Sequence, residues 1–135
     1  MEVWKIKEGL YQSSKIDDLE VFESYNFDAV IDLEGGFDKI PNKEVTYLHF
    51  HFYDVPWLPN KIKLGAAVLF GFSLWYDGAR VLVHCTQGIN RSSLVNGMIL
   101  NLSGYTGREA VEIITTARPG ALLNPIFRLH LLRLA

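Results

Sequence analysis

Cys85 is the only cysteine of the 135-residue chain, and Arg91 follows it six positions later with Gly88 between them. The surrounding run is Arg80-Val81-Leu82-Val83-His84-Cys85-Thr86-Gln87-Gly88-Ile89-Asn90-Arg91-Ser92-Ser93. A short β-branched strand leads into the cysteine, and an apolar segment that reads as a helix follows the arginine. Strand, short loop and helix N-terminus gather backbone N–H groups and the positive end of a helix dipole around one point, an arrangement that holds an anion. A thiol at that point is favoured as the thiolate. Thiolate attack on phosphorus would give a phosphocysteine and split a phosphoester hydrolysis into two displacements.

The neighbours suit that chemistry. The planar fork of Arg91 matches two phosphoryl oxygens, whereas a lysine would neutralise their charge without positioning them. Gly88 permits backbone angles that turn N–H groups toward an oxyanion. Thr86, Gln87, Ile89 and Asn90 complete the phosphate-binding loop. Ser92 reads either as a helix cap or as a hydrogen-bond partner of the sulfur that eases its departure. Ser93 has the capping reading alone. His84, on the strand before the loop, points away from the loop if the strand alternates, and is expected to orient rather than act as a base.

The elements that hold this loop follow from pattern. Val3–Ile6 and Leu10-Tyr11, around Gly9, predict a small hairpin of edge strands. Ser14, with Asp17 and Asp18 behind it, predicts a helix start whose apolar face is Ile16, Leu19 and Phe22. Phe27–Leu33 is a buried strand closed by Gly35-Gly36, and Val45–Phe52 alternates, with Leu48, Phe50 and Phe52 on one face and His49 and His51 on the other. Tyr53–Asn60, with two prolines, is a loop. Asn60 caps a long helix to about Tyr76, and Thr106 with Glu109 forms a capping box. Asn124-Pro125 opens the last helix, with proline at the first helical position. Strands alternating with helices predict an α/β fold: a mostly parallel central sheet flanked by helices, with a helical cluster after the phosphate loop. Ligands in such sheets sit beyond the carboxyl ends of strands. Both Cys85 and the Tyr53–Asn60 loop lie there.

Composition bounds the rest. Hydrophobic residues at 49% and charged residues at 21% argue against disorder, and one domain over residues 1–135 is expected. A net charge of −2 gives no support to broad nucleic-acid or membrane-surface binding. A single cysteine forms no internal disulfide, so the cytoplasm is the expected setting. Met1–Lys5 lacks a signal peptide's apolar core, and no apolar stretch reaches the ~20 residues of a bilayer span. A monomer without cofactor or metal is the expectation.

His84-Cys85-x-x-Gly88-x-x-Arg91-Ser92 resembles the signature of the cysteine-dependent protein tyrosine phosphatases. The wider chain is similar to the small dual-specificity phosphatases, in Ile6–Tyr11, in Val81-Leu82-Val83 and in Asn124-Pro125-x-Phe127. The resemblance implies a general acid, an aspartate on a separate loop about thirty residues before the cysteine. Asp54, in Tyr53-Asp54-Val55-Pro56, is in that place, with Phe52, Val55 and Trp57 near enough in sequence to desolvate it. Asp38 and Asp77 read as ordinary surface residues. The implied activity is hydrolysis of phosphotyrosine, and of phosphoserine or phosphothreonine, on a protein partner, in a shallow cleft rimmed by Trp57 and Leu58.

Other readings compete. His49-x-His51 with Asp54 could ligate a metal. A rhodanese-like loop is one residue shorter than this one. Thr86, Gly88 and Asn90 match the loop of metal-independent RNA 5′-triphosphatases, although no basic track for RNA is evident. Phosphoinositide phosphatases tend to carry lysines in the loop, and here it is uncharged. A module that binds phosphorylated residues without hydrolysing them is the non-enzymatic alternative.

Overall fold

Buried apolar runs place the centre of the molecule. In the computed structural model, which describes residues 1–135, strands β1 (Val3–Lys7), β2 (Leu10–Ser13), β3 (Ala29–Asp32), β4 (Thr46–His49) and β5 (Val81–His84) form one sheet. Its order is β1-β2-β5-β3-β4. β1 and β2 are antiparallel, and the three other pairings are parallel. β3 and β5 are buried at every position because helices cover both faces, which is why they read as unbroken apolar runs.

One face, with Tyr11, Val30 and Leu82, packs on Phe22 of α1 (Leu19–Ser24) and on Phe27. The other, with Leu10, Ile31, Val81 and Val83, meets α2 (Lys61–Tyr76), α3 (Arg91–Leu102), α4 (Gly107–Ala117) and α5 (Pro125–Leu132). Phe127 of α5 is fully buried in that layer; truncating such a side chain to alanine costs about 3–5 kcal/mol. Asn60, the Thr106–Glu109 box and Asn124 cap their helices as expected.

Three local expectations change. β2 is not an edge strand: it lies between β1 and β5, and only β1 and β4 are edges. α1 starts later than Ser14, because the Asp18 carboxylate accepts from Val21 N and caps it there, while Ser14 Oγ accepts from Glu2 N. β4 stops at His49, so Phe50 and Phe52 leave the sheet and turn onto the core beside α2 and α5.

Register decides what stands at the carboxyl ends of the parallel strands. Ser13 pairs with His84, His84 with Asp32, and Asp32 with His49. The last row of the four parallel strands is therefore entirely polar, and the loops carrying Glu34, Asp54 and Cys85 leave from it.

Candidate phosphate-binding site

The loop from Cys85 to Asn90 joins β5 to α3 and is held from outside by its carbonyl groups. Thr86 O accepts from Lys15 N at 3.0 Å, and Gln87 O from Arg118 Nη2 at 3.4 Å. Gly88 O accepts from Gln12 Nε2 and from Arg118 Nε, each at 3.1 Å. Ile89 O accepts from Leu122 N at 2.9 Å and from Ser93 Oγ at 2.8 Å. The backbone N–H groups of residues 86–90 donate to no protein acceptor. With the carbonyls taken on one side, the peptide dipoles leave their N–H ends for a ligand.

Gly88 makes this path possible. Its φ is +69°, and a Cβ there would stand 2.6 Å from the Trp4 ring and 3.0 Å from the Ser13 carbonyl carbon. Below the loop, Gln12, Ser93 and Asn96 form a buried chain: Asn96 Nδ2 donates to Gln12 Oε1 at 3.1 Å, and Gln12 Nε2 also donates to Ser93 Oγ at 2.9 Å. Ser93, read from sequence as a cap alone, is thus part of the loop's support.

Seven residues line one cavity of about 230 Å³: Asp54, Cys85, Thr86, Gln87, Ile89, Asn90 and Arg91. Cys85 is 3% exposed, and its Sγ lies 3.3 Å from Ser92 Oγ, a side chain with no solvent exposure. Arg91 is the first residue of α3. Its Nη1 donates to Leu33 O at 3.3 Å and to Phe52 O at 3.1 Å, and its Nη2 to Thr86 Oγ1 at 2.8 Å.

Asp54 arrives from the other loop and is clamped by two amides. Asn90 Nδ2 donates to its Oδ2 at 2.7 Å, and Asn124 Nδ2 to its Oδ1 at 2.8 Å. Asn90 Oδ1 in turn accepts from Asn124 N at 2.8 Å. The expected apolar enclosure of Asp54 does not form. Asp54 is exposed, and Trp57, 64% exposed, points to solvent. Leu58 is no rim either, since it packs against the main core.

His84 turns away from the anion loop into a carboxylate cage. Its Nε2 is 2.6 Å from Asp38 Oδ2 and 3.5 Å from Asp32 Oδ1, and its Nδ1 is 3.4 Å from Glu34 Oε1. Burial alone would push this imidazole down, but the Asp38 and Glu34 carboxylates, with Asp32 beside them, hold it up at about 9. The imidazolium in turn holds Glu34 below the usual carboxylate range against its partial burial. Tyr47 OH donates to Asp32 and accepts from Asp38 N. Asp38 is therefore not an ordinary surface residue: the loop after β3 folds back and places it on the histidine. One ligand-type atom from each of Asp32, Glu34, Asp38 and His84 falls within 4.8 Å of the others, and the imidazolium is the cation those carboxylates surround. His49, from the competing metal reading, donates through Nε2 to Glu34 O at 2.6 Å, and the His51 ring packs edge-on to Tyr53. They do not converge with Asp54.

Glu34, Asp38, Asn124, Gln12 and Arg118 were not legible as site residues. One signal was available: Asp32 closes a buried strand, and a carboxylate there needs a partner from elsewhere in the chain.

No family model matches the chain. It is 36% identical over 90 residues to mouse dual specificity protein phosphatase 15, covering 66% of this chain and 38% of that protein. It is 30% identical over 126 residues to the human protein of the same name, covering 91% of this chain and 42% of that one. The chain thus spans about two fifths of the length of the curated relatives it matches. Among solved structures, DUSP15 superposes with a TM-score of 0.82 at 27% identity, covering 96% of this chain and 85% of that chain. A mouse putative dual specificity phosphatase complexed with zinc tungstate superposes with a TM-score of 0.84 at 20% identity, covering 96% and 83%. At that lower identity the likeness concerns the fold alone.

Proposed function

The chain is dual-specificity-phosphatase-like and falls in the cysteine-dependent protein tyrosine phosphatase superfamily, and from that premise we propose that it hydrolyses phosphomonoesters on proteins through a phosphocysteine. One observation carries the reading: the N–H groups of residues 86–90 are uncommitted beside a buried Cys85, while every loop carbonyl from Thr86 to Ile89 is tied outward.

The steps follow from position. The Cys85 thiolate attacks phosphorus; the S–P bond forms as the bond from phosphorus to the leaving oxygen breaks. Asp54, protonated, gives its proton to that oxygen. Arg91 and the loop N–H groups hold the equatorial oxygens through the charge-dispersed transition state. Asp54, now a carboxylate, takes a proton from water. The oxygen of that water attacks phosphorus, and the S–P bond breaks. Ser92 Oγ, 3.3 Å from the sulfur, donates to the departing thiolate. His84 acts through its neighbours, orienting the end of β5.

Phosphotyrosine, with phosphoserine and phosphothreonine, is the substrate class this site favours over the alternatives. The loop side chains carry no charge, and the Glu34 carboxylate stands beside it. A polyphosphate or a multiply phosphorylated headgroup would bring further negative charge against it. The same reading carries a phosphorylated protein as partner and a monomer in the cytoplasm, where a lone thiol stays reduced. No helix is long and apolar enough to cross a membrane.

Release of phosphate from p-nitrophenyl phosphate by reduced protein, abolished in Cys85→Ser, tests the enzyme reading. Stoichiometric phosphopeptide binding with no turnover between pH 5 and 8 would instead make the chain a binding module. A panel of phosphopeptides, phosphoinositides and triphosphate-ended RNA then ranks the substrates.

A further inference from the structure

A guanidinium has five N–H donors, and Arg91 commits three of them within the protein: two on Nη1 to carbonyls, and one on Nη2 to Thr86 Oγ1. The two left are Nε–H and the second hydrogen on Nη2. They sit on adjacent nitrogens, the pair that takes two oxygens of one phosphate. Which pair remains free depends on Thr86. Its hydroxyl has one proton, and it gives that proton to Glu34 Oε2 at 3.0 Å, which leaves a lone pair for Arg91. Without the Glu34 acceptor, the exposed Thr86 side chain loses the partner that fixes its rotamer, and its oxygen can swing away from the guanidinium. The other oxygen of Glu34 faces the charged His84 ring, 3.4 Å from Nδ1.

We propose that Glu34 is a positioning residue for Arg91, acting through the Thr86 hydroxyl to hold the guanidinium edge that grips the transferring phosphoryl group. The proposal rests on the phosphatase reading above and deepens it. Glu34 does not line the Cys85 cavity. Its role is to fix the rotamer of one hydroxyl whose oxygen accepts from Arg91. Arg91 meets the oxyanion in both ground and transition states, so a loosened guanidinium weakens phosphate binding as well as turnover.

The test measures inhibition by inorganic phosphate, direct phosphate binding, and kcat and KM with p-nitrophenyl phosphate. The variants are Thr86→Val, Thr86→Ser, Glu34→Ala and the double variant Thr86→Val/Glu34→Ala. Thr86→Val, which keeps the loop N–H, is expected to weaken phosphate about ten-fold, the loss of one charge-assisted hydrogen bond. Thr86→Ser is expected to restore binding to near the unaltered level. Glu34→Ala is expected to match Thr86→Val, and the double variant to be no worse than either single one, because the two residues act as one relay. Unchanged phosphate affinity in Thr86→Val, failure of Thr86→Ser to rescue, or additive losses in the double variant would overturn the proposal. Thr86 is exposed, so its variants report even if Glu34→Ala destabilises the His84 cage. If the unaltered protein neither binds phosphate nor turns over, the phosphatase reading itself falls. If it does both and the variants match it, only the positioning role falls.

Discussion

Asn124 Nδ2 lies 2.8 Å from Asp54 Oδ1 and 2.9 Å from Val55 O, while Asn124 Oδ1 accepts from Ile126 N and Phe127 N at the start of α5. One amide both caps a helix and pins the loop that carries Asp54, the proposed acid. Stability and the proposed catalysis therefore depend on the same side chain, and a choice of substitution separates them. Asn124→Ser keeps a good N-cap oxygen but has no NH₂ group to clamp Asp54. Its melting temperature is expected to stay near that of the unaltered protein, while turnover of alkyl phosphates falls about ten-fold, one hydrogen bond's worth of positioning. Asn124→Ala is expected to lose about 1 kcal/mol of stability as well. A serine variant with full activity would show that the clamp is idle.

Asp54→Asn is expected to lower turnover about 10²-fold on substrates with poor leaving groups, the usual contribution of a positioned general acid. Activated aryl phosphates, whose leaving oxygen needs no proton, are expected to lose much less. Equal losses on both substrate types would remove Asp54 from the acid role.

Gly88→Ala places a Cβ against the Trp4 ring and the Ser13 backbone in a residue whose φ is +69°. The left-handed conformation alone costs an L-residue about 1–2 kcal/mol, and the Ser13 backbone has little room to give. Loss of at least that much stability, together with loss of inorganic phosphate binding, is the expected result of denaturation and titration experiments. Retention of both would mean that the loop does not depend on this turn.

The charge on His84 links stability to pH. Its folded value, about 9, lies above the 6.5 of a free imidazole, so the charged form is the one that folding favours. That contribution is complete below about pH 6.5 and is lost as pH rises through about 9. Denaturant midpoints are expected to fall between pH 7 and 10, with an imidazole NMR titration centred near the upper value. Asp38→Asn removes the closest carboxylate and is expected to move that titration downward. A midpoint flat across this range would contradict the cage.

Much of the fold was readable because its signals are local. Asn60, Thr106 with Glu109, and Asn124-Pro125 cap helices through partners three or fewer residues away. β3 and β5 declare themselves by apolar runs. What misled was also local. The alternation of Val45–Phe52 extends past the sheet, since Phe50 and Phe52 serve the core after the strand has ended. Leu10-Tyr11 looks like half of an edge hairpin, and only the pairing with β5 makes it interior.

The same division runs through the site. Cys85, Gly88, Arg91 and Ser92 lie within one loop and the turn of helix after it. They are close along the chain, so their spacing alone made the candidate anion cradle and its proposed nucleophile legible in the sequence. Tertiary structure decided how that cradle is charged and held. Asp38 reaches His84 across 46 residues, Glu34 reaches Thr86 across 52, and Asn124 reaches Asp54 across 70. A side chain's ionisation and the direction of its proton depend on which groups stand within a few ångströms. For these residues the neighbours are set by strand register and helix packing, which no spacing along the chain records.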